Sequence, residues 1–404
     1  MGLKITAVET LCPGDMPNLL WVRLHAGDGL TGLGELFFGA TAAEADVHDR
    51  IAPMILGHDA GRIEYLNRRM QPYAGFSGTG AELRALSAVD VALWDLMGKA
   101  AGLPLCDLLG GRMRARIPVY NTCAGPRYLS ASSAVRPENF GAGGGALSRG
   151  RHEDLEGFLH YPDELAASLL DMGIESMKIW PFDFAEGAGD GADISAADLA
   201  RGLAPFEKIR AAHGDRMRLK AELHGLWSLP AARKICAALA PLDIDWIEDP
   251  IWMDRTAELA TLTRETATPI AGGETLAGLG AFAALIGQEA VNTPIIDITW
   301  GGGVTLARKV AALAEARACN VAFHDCMGPV TLAVSTHLAL ALPNVREQEI
   351  SRGFYYGWYG DYVDDLPQIE DGHVRVADRP GLGLALQAGL ESRPETRRRI
   401  TRAE

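Results

Sequence analysis

Three glutamates in the middle of the chain recur at a constant interval. Glu222, Glu248 and Glu274 are 26 residues apart (248 − 222 and 274 − 248), and each ends a short apolar run. One strand–helix unit of a parallel barrel has about this length, so we expect the carboxylates at equivalent ends of neighbouring strands. A single glutamate at a strand end is usually a solvated surface residue. Three converging carboxylates repel one another unless a cation lies between them, and all-oxygen ligands favour a hard ion such as Mg²⁺.

The same spacing extends to an aspartate and a histidine. Asp297 and His324 lie 27 residues apart (324 − 297), again about one unit. An isolated histidine is more often structural, but a neighbouring carboxylate would orient the imidazole and raise its basicity. His224 follows Glu222 by two residues, so both side chains would point to one face of an extended strand. This pattern predicts an Asp297–His324 pair and a second histidine, His224, beside the metal.

The elements that must position these residues alternate between apolar runs and amphipathic stretches. Alternating strands and helices favour parallel strands, and eight units favour a (β/α)8 barrel with its active site at the carboxyl ends of the strands. An open doubly wound sheet would more often show a glycine-rich turn after its first strand, and "IPVYNTCAG" is not one. The eight predicted strands are 117–122, 176–180, 217–223, 244–249, 269–274, 294–299, 320–325 and 345–350.

The first hundred residues have a different pattern. Residues 3–9 and 19–25 are typical of strands, and "GDGLTGLGE" after them indicates a hairpin. Residues 41–110 follow a helical period. We therefore predict a small sheet followed by helices, an α+β domain that precedes the barrel.

The composition of the chain argues against some classes of binding partner. The 404 residues carry a formal net charge of −14, which disfavours nucleic acid as a partner. We expect no membrane span and no signal peptide, because the N-terminus lacks a basic-then-apolar layout and no apolar run is long enough. Six cysteines without a C-x-x-C pair predict reduced thiols in a cytoplasmic protein. An anionic substrate would need a local metal or basic cluster against the overall negative field.

Several ordered motifs together carry a family resemblance over nearly the whole chain. They are "SAVDVALWDLMGKAAGLPLCDLLGG", "IEDP", "AGGET", "DITWGGGVT" and "HDCMGP". With them the chain resembles the enolase superfamily, mandelate racemase subgroup. The resemblance implies an α+β capping domain (1–112) over a modified (β/α)8 barrel (113–350). A C-terminal segment (351–404) that includes "DGHVRVADRPGLGLAL" would return to the cap, and the protein would be a homo-oligomer.

The resemblance also implies roles for individual residues. Glu222, Glu248 and Glu274 match the ligands of one Mg²⁺ per subunit, although relatives frequently have Asp at the first position. Asp297 and His324 match the family's His–Asp dyad. Glu349 matches the glutamate of strand eight that hydrogen-bonds the developing enediolate.

One departure from the family pattern bears on the reaction. Many relatives end strand two with Lys-x-Lys, whereas here Lys178 is followed by Trp180, and an indole cannot accept an aliphatic proton. A racemase with two lysine bases is therefore disfavoured, and Lys178 is left as a supporting charge or a structural residue. Glu-x-His at 222–224 instead resembles acid-sugar dehydratases of this subgroup.

The predicted reaction is the Mg²⁺-dependent dehydration of a sugar acid, such as a pentonate or hexonate. His324 would remove the proton α to the carboxylate, and His224 would protonate the leaving 3-hydroxyl to give a 2-keto-3-deoxy acid. The two histidines could exchange roles for the opposite stereochemistry. An epimerase, racemase or cycloisomerase on the same scaffold, or an inert binding protein, are the alternatives.

Residues for binding this small carboxylate substrate are expected at strand ends and in loops of the cap. We predict Tyr120, Asn121, Trp180 and Trp300 as substrate-binding residues. Loops 11–20, 37–42 and 69–80 are expected to shape specificity. The glycine-rich segment 137–154, with Arg149, Arg151 and His152, is either an additional lid or a surface excursion.

Overall fold

The computed structural model describes residues 2–73, 75, 78–128 and 152–403. Its N-terminal part is an antiparallel meander of β1 (Ile5–Cys12), β2 (Leu19–Ala26) and β3 (Thr31–Phe37). A group of helices follows this meander, as the helical period of 41–110 predicts. They are α1 (Ala40–Asp46), α2 (Ala52–Ile55), α3 (Ile63–Met70), α4 (Ala81–Ala101) and α5 (Leu105–Leu108), with a π-helical turn at Val47–Ile51 between the first two.

Helix α4 lies against β3, and glycines make this close approach feasible. A Cβ at Gly32 would collide with the carbonyl oxygen of Ala92, and one at Gly34 with that of Ala88. Only glycine can therefore occupy these strand positions without moving the helix backbone. The same helix contacts the barrel, where Asp90 accepts hydrogen bonds from the hydroxyl of Thr305 (2.6 Å) and from its backbone N–H (3.0 Å).

The next part of the chain is a closed parallel barrel, which confirms the predicted fold class. Neighbouring strands pair in parallel from β4 to β10, and β11 returns to pair with β4. A parallel bridge between Val321 and Val345 closes the circle between the last two strands. The strands are β4 (Ile117–Thr122), β5 (Ser176–Ile179), β6 (Arg218–Glu222), β7 (Trp246–Glu248), β8 (Ile270–Gly272), β9 (Thr293–Ile296), β10 (Ala322–Phe323) and β11 (Gln348–Ile350).

Helices connect these strands, and serine side chains cap two of them. Ser195 and Ser228 accept hydrogen bonds from the N–H groups of Asp198 and Ala231, so they satisfy otherwise unpaired donors in the first turns of the helices Ala196–His213 and Leu229–Leu239. The barrel helices are α6 (Asp154–His160), α7 (Pro162–Leu170), α8 (Ala196–His213), α9 (Leu229–Leu239), α10 (Thr256–Glu265), α11 (Leu279–Gly287), α12 (Ile298–Gly301), α13 (Gly303–Glu315) and α14 (Pro329–Ala341).

The C-terminal segment runs back across both parts of the molecule. It contains α15 (Arg352–Gly357), β12 (Val363–Asp364), β13 (Gln368–Glu370), β14 (His373–Arg375), β15 (Ala385–Leu386) and β16 (Arg397–Arg402). β14 pairs antiparallel with the start of β4, and β16 pairs antiparallel with β1. The final strand is thus part of the N-terminal sheet, while the division of the chain at 112 and 350 stays a prediction.

Two further expectations concern the molecule as a whole. Within the described part of the chain, no helix combines the length and the apolar character needed to cross a membrane. All six cysteines are described, and all are free thiols, five of them buried.

Candidate active site

The three glutamates meet at the carboxyl ends of β6, β7 and β8. Glu222 and Glu248 end adjacent strands in register, as the spacing predicts. Glu274 is not in register with them, because Ala271 is the partner of Glu248 and β8 ends at Gly272. Gly272 and Gly273, with φ of 158° and 122°, carry the chain on to Glu274. One oxygen of each carboxylate nevertheless lies within 4.8 Å of the others, and all three side chains are buried.

Lys178 balances part of this negative charge. Its Nζ lies 2.5 Å from Glu248, 2.9 Å from Glu349 and 3.2 Å from Glu222. Burial alone would lower the pKa of Lys178, but the surrounding carboxylates raise it well above its ordinary value. Burial and the charge of Glu222 raise the pKa of Glu248. The ammonium of Lys178 is therefore firmly charged and stabilises the carboxylates, so a support role fits it better than proton abstraction.

Asp297 and His324 form the predicted hydrogen-bonded pair. Asp297 Oδ2 lies 2.8 Å from Nδ1 of His324. The other oxygen of Asp297 accepts hydrogen bonds from N–H groups of Thr299 and Trp300 and so caps α12. Nε2 of His324 lies 3.4 Å from Glu274. Burial opposes the charged imidazole, but Glu274 and Asp297 raise the pKa of His324 well above its ordinary value.

His224 lies at the same site, but the backbone path that places it there is not indicated by the sequence. β6 ends at Glu222, and His224 has a left-handed backbone (φ 46°), so strand alternation does not determine its direction. The expectation that both side chains share one face of a strand was wrong for this reason. Nδ1 of His224 lies 2.6 Å from Asp183. Burial alone would lower the pKa of His224, but Asp183 and Glu222 raise it to about 10.

Glu349 and Thr122 come from the two strands that close the barrel. The hydroxyl of Thr122 donates to Glu349 Oε1, and the backbone N–H of Asp325 donates to Oε2 at 2.7 Å. Burial would raise the pKa of Glu349, but Lys178 and His324 lower it. Glu349 is thus an ionised carboxylate between Lys178 and the end of β10.

A cavity of about 50 Å³ lies between these groups. Phe38 of the cap lines it together with side chains from the strand ends. Trp300, also in the lining, donates from its indole N–H to the carbonyl of Phe37 (3.0 Å) and so joins the barrel to loop 37–42. Trp180 packs edge-to-face on His224, with ring centroids 5.9 Å apart. The barrel residues that line the cavity are Thr122, Tyr128, Lys178, Trp180, His224, Glu274, Trp300, His324, Cys326 and Met327.

Two of the predicted substrate-binding residues lie away from this cavity. Tyr120 is fully buried one layer deeper in the barrel, where its ring lies 4.8 Å from Lys220 Nζ. Asn121 points outward, because it donates to Asp154 (2.9 Å) and accepts from the backbone N–H of Arg352 (2.9 Å). Thr122, the last residue of β4, is the residue of this strand that lines the cavity.

Most of the glycine-rich segment 137–154 lies outside the described residues. Arg149 and Arg151 lie outside the described residues. His152 stacks on Tyr356 with centroids 4.9 Å apart, and it is not among the residues that line the cavity.

The donor set fits a hard divalent cation. Three buried carboxylates with converging oxygens supply all-oxygen coordination, and the ammonium of Lys178 already lies against two of them as a stand-in cation. The roles of these residues as ligands stay a prediction.

Sequence reasoning did not identify two polar residues of the site, Thr122 and Asp183. Two-residue alternation within "IPVYNT" would have placed Thr122 on the same face as Tyr120 and nearer the strand end. For Asp183 the sequence offers no comparable signal. It lies in the 3-10 turn Pro181–Phe184, whose path brings it back to His224 only in three dimensions.

Comparison with known sequences gives the same overall assignment. The family described as enolase C-terminal domain-like matches residues 162–389, and the mandelate racemase/muconate lactonizing enzyme N-terminal domain matches residues 10–110. The chain is 30% identical over 398 residues to a D-galactonate dehydratase from Ralstonia nicotianae, with 96% of this chain and 93% of that protein covered. A D-galactonate dehydratase family member from Streptomyces bingchenggensis is 27% identical, with coverage of 96% and 92%.

Solved structures resemble the whole molecule. An enolase of the mandelate racemase subgroup from Agrobacterium tumefaciens is 41% identical, with a TM-score of 0.86 and 99% of each chain covered. An enolase protein from Sargasso Sea environmental sequencing is also 41% identical, with a TM-score of 0.87 and full coverage of both chains. The chain therefore belongs to the mandelate racemase/muconate lactonizing enzyme family of the enolase superfamily.

Proposed function

We propose that this protein is a Mg²⁺-dependent dehydratase of a sugar acid, an aldonate of the D-galactonate kind. The observation that carries the proposal is the placement of two histidines on one small cavity beside three converging carboxylates. The names of the D-galactonate dehydratase relatives support the reaction class and suggest the first substrate to test. A binding protein without activity would have no need of this combination of groups.

Glu222, Glu248 and Glu274 would hold the metal ion. When bound, Mg²⁺ would bind the substrate carboxylate and stabilise the negative charge that develops there as the α-proton leaves. The same charge would offset Glu274, whose carboxylate raises the pKa of His324. Lys178 and Glu349 would remain beside the substrate carboxylate, linked to each other at 2.9 Å.

The two histidines would divide the proton transfers. His324, oriented through Nδ1 by Asp297, would take the α-proton from the substrate. His224 would donate a proton to the 3-hydroxyl as the C–O bond breaks, so that water leaves. The resulting enol would tautomerise to the 2-keto-3-deoxy acid.

The cavity must enlarge before such a substrate can enter. Its volume of about 50 Å³ is far below the roughly 300–1,000 Å³ of small-molecule sites. Among the described residues, Phe38 is the one from the capping loops that lines the cavity, so its displacement would open the cavity. Residues 37–42 are therefore the proposed lid.

Activity would be tested with purified protein, Mg²⁺ and a panel of aldonic and aldaric acids that begins with D-galactonate. We expect semicarbazide absorbance from a 2-keto-3-deoxy product with at least one acid, no activity in EDTA, and none in His324→Asn. His224→Asn should also stop dehydration. His160→Asn, a change of an exposed histidine on α6, is the matched control and should keep full activity.

An isomerase is the second candidate, because two imidazoles on one cavity could remove a proton and return it on the other face. Product analysis separates the two reactions. An epimer of the substrate without keto product would contradict dehydration and support the isomerase. Absence of both keto product and α-proton exchange in D2O across the panel would contradict both.

A further inference from the structure

We propose that Asp183 is a positioning residue that fixes the imidazole of His224 for its role as general acid, so that the site contains two Asp–His pairs. This proposal deepens the dehydratase function and rests on it for its kinetic part. The second pair is formed across two strand ends, since Asp183 follows β5 and His224 follows β6.

Geometry supports the assignment. Asp183 Oδ2 lies 2.6 Å from Nδ1 of His224, compared with 2.8 Å for Asp297 and His324. Asp183 is only 1% exposed, and its second oxygen makes no hydrogen bond to any of the described residues. Burying a carboxylate oxygen without a hydrogen bond costs folding free energy. A role in orienting His224 would account for the presence of Asp183 at this position.

The local chain path directs Asp183 toward His224. Pro181 opens the 3-10 turn Pro181–Phe184 directly after Trp180, and Phe182 packs into the core against Phe206 with centroids 6.3 Å apart. With the turn anchored in this way, Asp183 is directed toward His224. Trp180 covers the same imidazole from another side. The chain that follows β5 thus supplies two groups, Trp180 and Asp183, that contact the imidazole of His224.

This hydrogen bond has a defined chemical consequence. When Nδ1–H donates to Asp183, Nε2 is the ring nitrogen that remains for exchange of a proton with substrate. In the dehydration, Nε2–H would pass its proton to the 3-hydroxyl while the C3–O bond breaks and its electron pair leaves with the water. Asp183 accepts no proton in this step. It stabilises the cationic imidazole before the transfer and keeps the neutral ring in one tautomer afterward.

The kinetic test compares Asp183→Asn with the wild type on the acid that the panel identifies. We expect kcat for dehydration to fall roughly 100-fold or more with KM changed less than about threefold, as for loss of general-acid catalysis. Exchange of the α-proton in D2O should persist, because Asp297 and His324 are untouched. Equal loss of exchange and dehydration would overturn the proposal, since it would indicate general damage to the site, and so would an unchanged kcat.

A matched control removes another buried carboxylate. Asp90→Asn changes the hydrogen bonds between α4 and Thr305 and does not touch the contacts of His224 or His324. It should lower the free energy of unfolding without altering the ratio of the α-proton exchange rate to the dehydration rate. A changed ratio in this variant would show that the ratio does not report on His224, and the proposal would lose its kinetic support.

A spectroscopic test is independent of activity. In protein labelled with ¹⁵N-histidine, the His224 resonances, assigned from the His224→Asn spectrum, should show a protonated Nδ1 in a carboxylate hydrogen bond. Asp183→Ala should shift the Nδ1 signal and leave that of His324 in place. An unchanged His224 spectrum in Asp183→Ala would overturn the proposal even if the enzyme is a dehydratase. The expected shift in a protein that dehydrates no acid would instead contradict only the proposed function.

Discussion

The site holds more buried carboxylates than its described cations can neutralise. Glu222, Glu248 and Glu349 all contact the single ammonium of Lys178, while Glu274 contacts the imidazole of His324. Like charges at this separation disfavour the ionised forms unless further positive charge is present. The affinity for a divalent cation should therefore depend on each carboxylate of the trio.

Glu248→Gln should weaken Mg²⁺ binding at least about tenfold and reduce dehydration by a similar factor or more, because an amide supplies no charge. Titration calorimetry with MgCl2 measures the first effect, and the semicarbazide assay measures the second. Glu258→Gln on α10 is the matched control, since its side chain is 45% exposed and should leave both quantities unchanged. Undiminished Mg²⁺ affinity in Glu248→Gln would remove this residue from the ligand set.

Residue types and spacing were sufficient to predict most of the site's polar groups. Glu222, Glu248, Asp297 and His324 lie at or just after strand ends, one or two strand–helix units apart, so their convergence follows from the barrel. Asp183 had no such periodic signal, because a 3-10 turn after the strand determines its direction. Tyr120 and Asn121 were expected at the cavity, whereas Thr122, the last residue of the predicted strand 117–122, is the residue of that strand that lines it.

At the scale of elements, a neutral histidine connects α14 with α5 and the C-terminal segment. Nδ1 of His337 accepts the backbone N–H of Cys106 (3.2 Å), and Nε2–H donates to the carbonyl of Leu382 (3.1 Å). A protonated ring would lose the first of these bonds and place a charge in the core. Burial therefore lowers the pKa of His337 to about 4.

Stability should fall with acidification because of this residue. Between pH 6.5 and about 4 the unfolded chain binds a proton at His337 that the folded chain does not, so unfolding becomes more favourable as pH falls through this window. The full effect is about 3 kcal/mol at 1.36 kcal/mol per pKa unit. His337→Gln cannot titrate, and urea denaturation from pH 7 to 4 should show a correspondingly smaller loss. His160→Gln should retain the wild-type dependence, and parallel curves for His337→Gln and wild type would contradict the assignment.

The barrel elements could be predicted because each apolar run is bounded by amphipathic sequence of helical period. Register could not be predicted in this way. The equal spacing of 26 residues suggested three equivalent positions. In the structure, however, the residue paired with Glu248 is Ala271, and Glu274 comes after it, beyond Gly272 and Gly273. Strand ends depend on pairing with neighbours, which a single sequence does not specify.

For the whole molecule, metal binding should be linked to folding. A cation that binds the folded site and not the unfolded chain stabilises the protein by about 2.7 kcal/mol at a concentration of 100 Kd. Thermal unfolding should therefore occur several degrees higher in excess MgCl2 than in EDTA. The difference should largely disappear in Glu248→Gln, whereas an equal rise in wild type and variant would indicate a nonspecific salt effect.

The pairing of β16 with β1 has a consequence for how the protein is made on the ribosome. β1 (Ile5–Cys12) is translated long before its partner, Arg397–Arg402. Until then one edge of the N-terminal sheet lacks its backbone partner, and Glu9 lacks the arginine, Arg398, that bonds its carboxylate at 2.6 Å. The nascent chain thus exposes an unpaired strand edge while the intervening residues are translated, a period in which such edges favour aggregation. A stall or stop shortly before residue 397 would leave a chain with this edge still open, and such products should depend on chaperones more than chains that contain Arg397–Arg402 do.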